Sequence, residues 1–159
     1  MNRPNIKSSK ILVTGGAGFI GSHLADKLLS EGANEVIIID NLFNGFESNI
    51  SDAISKGAIF YKDDIEIMSS LDYIFQNHEI DIVFNCATKA LNYSFVNPKN
   101  AYETNVRGIL NILEHQRKGS FKTLIHFSTS EVYGTAEYEP MDESHPLKPT
   151  TSYASGKAA

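Results

Sequence analysis

The sequence predicts an α/β fold in which helices cover both faces of a doubly wound parallel sheet. Three observations carry that prediction. Five short apolar runs recur along the chain, at 11–13, 36–39, 58–61, 82–86 and 123–127. Each is continuous rather than alternating, as in strands buried on both faces. Helical spacing fills the intervals: Ile20, Leu24 and Leu28, then Ile67, Leu71, Ile74 and Phe75, then Val106, Ile109, Leu110 and Leu113 each mark a core-facing stripe. Between the first run and the first stripe lies the glycine-rich stretch Thr14-Gly15-Gly16-Ala17-Gly18-Phe19-Ile20-Gly21. Strands alternating with helices imply right-handed crossovers and the strand order 3-2-1-4-5.

Residues 1–9 are polar, contain Pro4 and lack the apolar core of a secretory signal, so they read as a tail preceding one domain over 10–159. The first strand, Lys10-Ile11-Leu12-Val13-Thr14, delivers the chain to the glycine turn. There one glycine permits the tight bend, one lets a pyrophosphate approach the backbone and one lets the helix pack on its strand. The N–H groups and dipole at the helix start attract phosphate. Alone, such a stretch is equally a plain structural turn. The second strand, Val36-Ile37-Ile38-Ile39, ends in Asp40, 22 residues beyond Gly18. That is close to the spacing of about 20 at which an acid binds the adenosine ribose, and the two features together point to a dinucleotide.

The stretch 41–49, with Asn44-Gly45, reads as loop. The later strands end in Asp63 and Asp64, in Ala87, Thr88 and Lys89, and in Ser128, Thr129, Ser130 and Glu131. Ligands of doubly wound sheets bind beyond the carboxyl ends of the strands. Strand ends are polar in any case, so the set, rather than any one member, carries the functional reading.

Composition narrows the function classes. At 159 residues and 42% hydrophobic, the chain suits one packed domain. A net charge of −5 without a Lys/Arg cluster argues against nucleic acid or an anionic membrane surface as partner. No apolar stretch approaches the roughly 20 residues of a membrane span. The one cysteine, Cys86, lies in an apolar run and reads as a core thiol. These features suggest a cytoplasmic setting. The five histidines show no metal-ligand spacing, so no metal site is expected. The acids Glu137, Glu139, Asp142 and Glu143 read as a solvated loop.

Chemistry enters with Tyr153-Ala154-Ser155-Gly156-Lys157, since a helix from about Thr151 places Tyr153 and Lys157 on one face. An ordinary tyrosine titrates near pH 10, and a nearby cation favours its phenolate. The same spacing also occurs on solvated helix faces. Thr129, at the end of the fifth strand, offers a hydroxyl to relay a proton between such a tyrosine and a substrate alcohol. Tyr133 is a poorer base, because Glu137 stands where a lysine is needed.

The Gly15-x-x-Gly18-x-x-Gly21 turn, Asp63-Asp64-Ile65, Asn105-Val106, Ser128-Thr129-Ser130-Glu131-Val132-Tyr133-Gly134 and Tyr153-x-x-x-Lys157 together resemble the extended short-chain dehydrogenase/reductases. More closely they are similar to the nucleotide-sugar epimerases, dehydratases and decarboxylases of that family. The resemblance implies a Rossmann-like fold and a held NAD that removes a hydride from a sugar carbon and later returns it. It makes Tyr153 the base, has Lys157 bind the nicotinamide ribose and favour the phenolate, and has Thr129 bridge to the sugar hydroxyl. Glu131 serves near the sugar. Gly15, Gly18, Phe19, Ile20 and Gly21 belong to the cofactor turn, Asp40 holds the adenosine ribose and Asn41 beside it belongs to the cofactor site. Asp64 and Ile65 contact adenine, Ala87 lines the cofactor, Lys89 reaches its pyrophosphate and Asn105 braces the site. Asp40 repels a 2′-phosphate, and Asn41 and Leu42 offer it no cation, so NAD is expected over NADP.

Where the family's 4,6-dehydratases have an Asp-Glu pair after the threonine, this sequence has Ser130-Glu131. The Ser-Thr-Ser-Glu-Val-Tyr-Gly run resembles UDP-glucuronate decarboxylases, whereas Asp40-Asn41-Leu42-Phe43-Asn44-Gly45 resembles 4-epimerases. A 4-epimerase acting on a UDP-sugar is therefore the first expectation and a decarboxylase or dehydratase the second. A non-catalytic NAD-binding module is the rival of a different class. Family members continue about as far again, into a sixth strand and a smaller substrate domain. The 159 residues are accordingly expected to be an N-terminal portion that binds NAD weakly, does not turn over and ends in a frayed helix. The family's homodimer, through its fourth and fifth helices, is expected for the full length only.

Overall fold

The computed structural model describes residues 5–159. Five parallel strands, β1 (Lys10–Thr14), β2 (Glu35–Ile39), β3 (Ile59–Tyr61), β4 (Ile82–Asn85) and β5 (Thr123–His126), form one sheet in the order β3-β2-β1-β4-β5. This is the order the sequence predicts. The helices are α1 (Phe19–Ser30), α2 (Ser51–Ser55), α3 (Met68–Asn77), α4 (Leu91–Ser94), α5 (Pro98–Arg117) and α6 (Ser152–Ala158). Short 3₁₀ turns occupy Glu47–Ile50 and Ser130–Tyr133. Among the described residues no helix is long and apolar enough to cross a membrane.

The chain divides into two compact units. The first runs to Ala87 and resumes over Gly108–Phe127, so it holds the whole sheet; the second comprises Thr88–Arg107 and Ser128–Ala159.

In the first unit, alternate strand residues feed two separate cores. Ile11, Val13, Val36 and Ile38 pack with Ala25 and Leu28 of α1, Ile50, and Ala53 of α2. Leu12, Ile37 and Ile39 face the other way, onto Leu71 and Ile74 of α3 and Ile112 of α5. The runs of β1, β2 and β4 are continuously apolar because both faces of those strands are buried, whereas β3 and β5, at the sheet edges, are half-buried. Within the predicted tail, residues 1–4 lie outside the described residues, while 5–9 form a turn. Ser9 Oγ donates to Asn5 O at 2.5 Å, Ser8 N donates to Gly32 O at 3.3 Å, and Ile6 packs on the first core.

Helix faces depart from the predicted stripes. Ile20 is exposed; α1 buries Leu28 as expected, with Leu24 packed beside it, and also Gly21, Ser22 and Ala25, small residues that let it lie close to the sheet. Ile67 is the exposed N-cap of α3 rather than a core member. On α5, Leu110 and Leu113 are 56% and 41% exposed, whereas Ile112 is fully buried.

His115, also on α5, is buried against Phe75 with ring centroids 4.4 Å apart. Its Nε2 lies 3.5 Å from Asp72 Oδ1 and makes no hydrogen bond. Burial pushes this imidazole below its usual 6.5, and the Asp72 carboxylate offsets that in part. The unfolded chain therefore binds a proton here that the folded one refuses, and stability falls as pH drops below about 6.5. Urea midpoints at pH 7.5 and 5.5 should show a loss at the lower pH that shrinks in His115→Gln. An unchanged difference would assign the loss to another group.

Candidate functional site

The glycine turn of the first unit is built by backbone contact. Gly15 has φ +65°, and a Cβ there would lie 2.7 Å from the Cα and N of Ala87. A Cβ on Gly21 would lie 2.3 Å from Gly15 O, so the first turn of α1 sits directly on the loop. Gly18 is the N-cap of α1 and supplies no side chain to accept the helix's first N–H groups, and no acid stands in that first turn. Those groups are the partners a phosphate takes. Phe19, 80% exposed, and Ile20 flank them.

Asp40 ties the turn to the end of β2. Its carboxylate is 9% exposed and accepts from Ala17 N at 2.9 Å through one oxygen and from Leu42 N at 2.8 Å through the other. Ala17 O in turn accepts from Phe46 N and Asn49 Nδ2. A carboxylate accommodates about four donors, so capacity for two ribose hydroxyls remains. Asn41 Nδ2 donates to Asp64 Oδ2 at 2.6 Å, joining the ends of β2 and β3. Asp64 Oδ1 accepts from Glu66 N at 2.8 Å. The Ile65 side chain belongs to the second core, and its carbonyl accepts from Asn111 Nδ2 at 2.9 Å. Absent Cβ atoms, an uncapped helix start and a carboxylate with spare acceptors fit a dinucleotide.

A polar chain missed in the sequence crosses the strand ends beside this turn. Ala87 N donates to Thr14 Oγ1 at 3.3 Å, Thr14 Oγ1 donates to Asn85 Oδ1 at 2.5 Å, and Asn85 Nδ2 lies 3.0 Å from His126 Nδ1. Its signal was a carboxamide inside the apolar run Ile82-Val83-Phe84-Asn85, since a buried amide must find partners.

The second unit holds the chemical residues. Thr151 caps α6 by accepting from Ala154 N at 3.0 Å. Tyr153, half-buried, and Lys157, 8% exposed, lie one turn apart on that helix. The frayed end expected here is instead a formed helix, because α6 packs on α4 and on the Ser130–Tyr133 turn and buries Ala154 fully. Thr129 is the N-cap of that 3₁₀ turn, its Oγ1 accepting from Glu131 N at 3.3 Å. Asn105 Oδ1 accepts from Thr88 Oγ1 at 2.9 Å and from Lys89 N at 3.0 Å, and so shapes the backbone that carries Lys89. The buried Lys89 ammonium stands 5.7 Å from the centre of the Tyr93 ring, within cation–π range. Among the described residues no three His, Cys, Asp or Glu side chains gather as metal ligands.

Asp40→Asn tests the first half of the site. The amide replaces one of the two side-chain oxygens that accept from Ala17 N and Leu42 N with a donor, and an unpaired buried N–H costs about 1–3 kcal/mol. NAD affinity measured by calorimetry should fall by roughly tenfold or more. Undiminished affinity would remove Asp40 from the ribose.

The family described as GDP-mannose 4,6 dehydratase matches residues 12–159. A UDP-glucose 4-epimerase of Streptomyces lividans is 36% identical over 154 residues, covering 96% of this chain and 45% of that protein. The structure of UDP-glucose 4-epimerase from Thermotoga maritima with UDP-glucose is similar with a TM-score of 0.85 and 37% identity, over 93% of this chain and 47% of that one. The Thermus thermophilus UDP-glucose 4-epimerase in complex with NAD gives 0.83 and 35%, over 94% and 47%. The chain thus spans just under half the length of these relatives.

Proposed function

Since the chain belongs to the NAD-dependent nucleotide-sugar epimerase/dehydratase family, the extended short-chain dehydrogenase/reductases, we propose that it is the cofactor-binding portion of a UDP-sugar 4-epimerase. The observation that carries the reading is the pairing of Tyr153 and Lys157 on α6, packed on the turn that Thr129 caps.

The residues divide the work. The first-turn N–H groups of α1 take phosphate, with Gly15, Gly18 and Gly21 clearing the space and Phe19 and Ile20 flanking it. Asp40 accepts from the ribose, with Asn41 and Asp64 beside it. Ile65, its side chain committed to the core, offers adenine only its backbone. Ala87 presents the end of β4, and Lys89, held by Asn105, provides a cation for the pyrophosphate. NAD, when bound, supplies a hydride acceptor at the sugar carbon and gives the hydride back. Thr129 Oγ1 has two lone pairs and one proton; Glu131 N occupies one lone pair. The other lone pair accepts the C4 hydroxyl proton while its own proton passes to the Tyr153 oxygen. Lys157, one helical turn away, stabilises the phenolate that receives it. For inversion at C4 the same groups would return the proton, from Tyr153 through Thr129, to the C4 oxygen of a sugar presenting its opposite face.

Glu131 and the family's dehydratase description favour a decarboxylase or 4,6-dehydratase as second reading; Ser130, without a titratable proton in the range that elimination uses, opposes it. The exposed Leu110 and Leu113 on α5 support a homodimer of the full-length protein. The deciding experiment supplies the full-length protein with NAD and UDP-glucose, UDP-N-acetylglucosamine or UDP-glucuronate and follows products by NMR. Inversion at C4 supports the epimerase, and carbon dioxide from UDP-glucuronate the decarboxylase. NAD binding without any product leaves a non-catalytic module.

A further inference from the structure

The 134–148 segment of the second unit joins the turn that Thr129 caps to the approach to Tyr153. It is organised around one buried imidazole. Its base is closed by backbone: Gly134 has φ +70°, and a Cβ there would collide with Lys148 O. Ends brought together in this way make a compact surface loop packed by its own side chains. The packing residue is His145, 3% exposed, with the Tyr133 and Tyr138 rings 5.4 and 4.9 Å from its own.

Both ring nitrogens are used. Glu137 N donates to Nε2 at 2.9 Å, so Nε2 carries no proton. Nδ1 lies 3.0 Å from Pro146 O, an acceptor only, so Nδ1 carries the proton. The loop is therefore built for the neutral Nδ1–H tautomer. A proton added at Nε2 would set donor against donor at Glu137 N.

The charged and titratable groups facing the ring are Tyr133 from the 3₁₀ turn and, from the loop itself, Tyr138, Glu137, Asp142 and Lys148. Lys148 Nζ donates to Glu137 and holds its carboxyl below the usual range. Tyr138 Oη and Ser144 N do the same for Asp142. Both carboxylates stay charged in mild acid and offer an imidazolium the partner that the Glu137 amide cannot. A protonated ring would find its partners there rather than at Glu137 N.

We infer that His145 is a positioning residue: its neutral imidazole locks the 134–148 loop, and with it the relation of the Thr129 turn to α6, and protonation unlocks both. The positioning half rests on the reading of Thr129 and Tyr153 as catalytic; the lock itself does not. The test compares pH 8 with pH 5. In ¹⁵N NMR of the chain at pH 8, His145 should show the Nδ1–H tautomer; the Nε2–H tautomer would overturn the proposal. Protection of the Glu137 amide against hydrogen exchange, corrected for intrinsic rates, should fall tenfold or more between pH 8 and 5. The Tyr153 ring resonances should move over the same range. His145→Gln keeps an acceptor near Nε2 that cannot protonate, and its Glu137 amide should stay protected throughout. Constant protection in the wild-type chain, or a fall in the Gln variant to match, sinks the lock. If the amide opens while Tyr153 stays still, the positioning role fails. If both respond but Tyr153→Phe leaves the full-length protein active, the catalytic reading fails and the lock stands.

Discussion

Tyr153→Phe in the full-length protein should lower turnover by about 10²–10⁴-fold, the range that a positioned acid or base supplies, while NAD remains bound. The substitution removes one hydroxyl from a half-buried ring and leaves the rest of α6 intact, including Ala154 in the core and the Thr151 cap. Fold stability should therefore hardly change, and a loss of rate belongs to the chemistry. Thr129→Val discriminates further. It removes the hydroxyl proposed as the proton relay and also the acceptor of Glu131 N, so it should lower turnover and loosen the 3₁₀ turn together. Initial rates of C4 inversion, with NAD affinity from calorimetry on the same preparations, check both. A Tyr153→Phe enzyme keeping more than a tenth of its activity would transfer the base to another group.

Sequence reading recovered the parts of this molecule that depend on burial of whole segments. A strand covered on both faces must be apolar at every position, and Val36-Ile37-Ile38-Ile39 or Ile11-Leu12-Val13 allow no other reading. Strand order followed from the alternation of elements and the handedness of crossovers. Helix orientation was less legible. A search for large apolar residues at helical spacing finds Ile20 and Leu110, yet α1 turns Gly21, Ser22 and Ala25 to the sheet because small side chains permit close approach. Exposed apolar groups such as Leu110 and Leu113 carry the same hydropathy as core residues, so spacing cannot separate a core face from an exposed one.

At the site, residue types were legible and partners were not. Asp40 stood out as an acid at a strand end. Its two bonds, to Ala17 N and Leu42 N, depend on a loop path that no spacing rule encodes. His145 drew notice only as a histidine without metal spacing, because its partners are backbone atoms of Glu137 and Pro146. The division between two compact units left no mark either, since its first boundary falls between Ala87 and Thr88, within one run of strand-end residues.

Gly18→Ala and Gly21→Ala should separate binding from folding within a single turn. At Gly18 the backbone has φ −77°, open to any residue, and the new Cβ meets only Gly15 O, at 3.2 Å. A shift of a few tenths of an ångström accommodates it, so the thermal midpoint should barely move. The methyl then stands at the N-cap, where a pyrophosphate must approach the first N–H groups of α1. NAD affinity should drop by roughly tenfold or more, about 1.4 kcal/mol or beyond. At Gly21 the new Cβ would lie 2.3 Å from Gly15 O and 2.6 Å from Gly16 Cα, backbone atoms that cannot step aside. The helix must lift from the turn, and overpacking of that kind costs about 1–3 kcal/mol. Stability and NAD affinity should both fall. Thermal melts and calorimetric titration of the two variants give four values. If Gly18→Ala binds NAD as the parent does, the phosphate sits elsewhere on the turn. If Gly21→Ala is as stable as the parent, the contact of α1 with Gly15 is softer than its geometry requires.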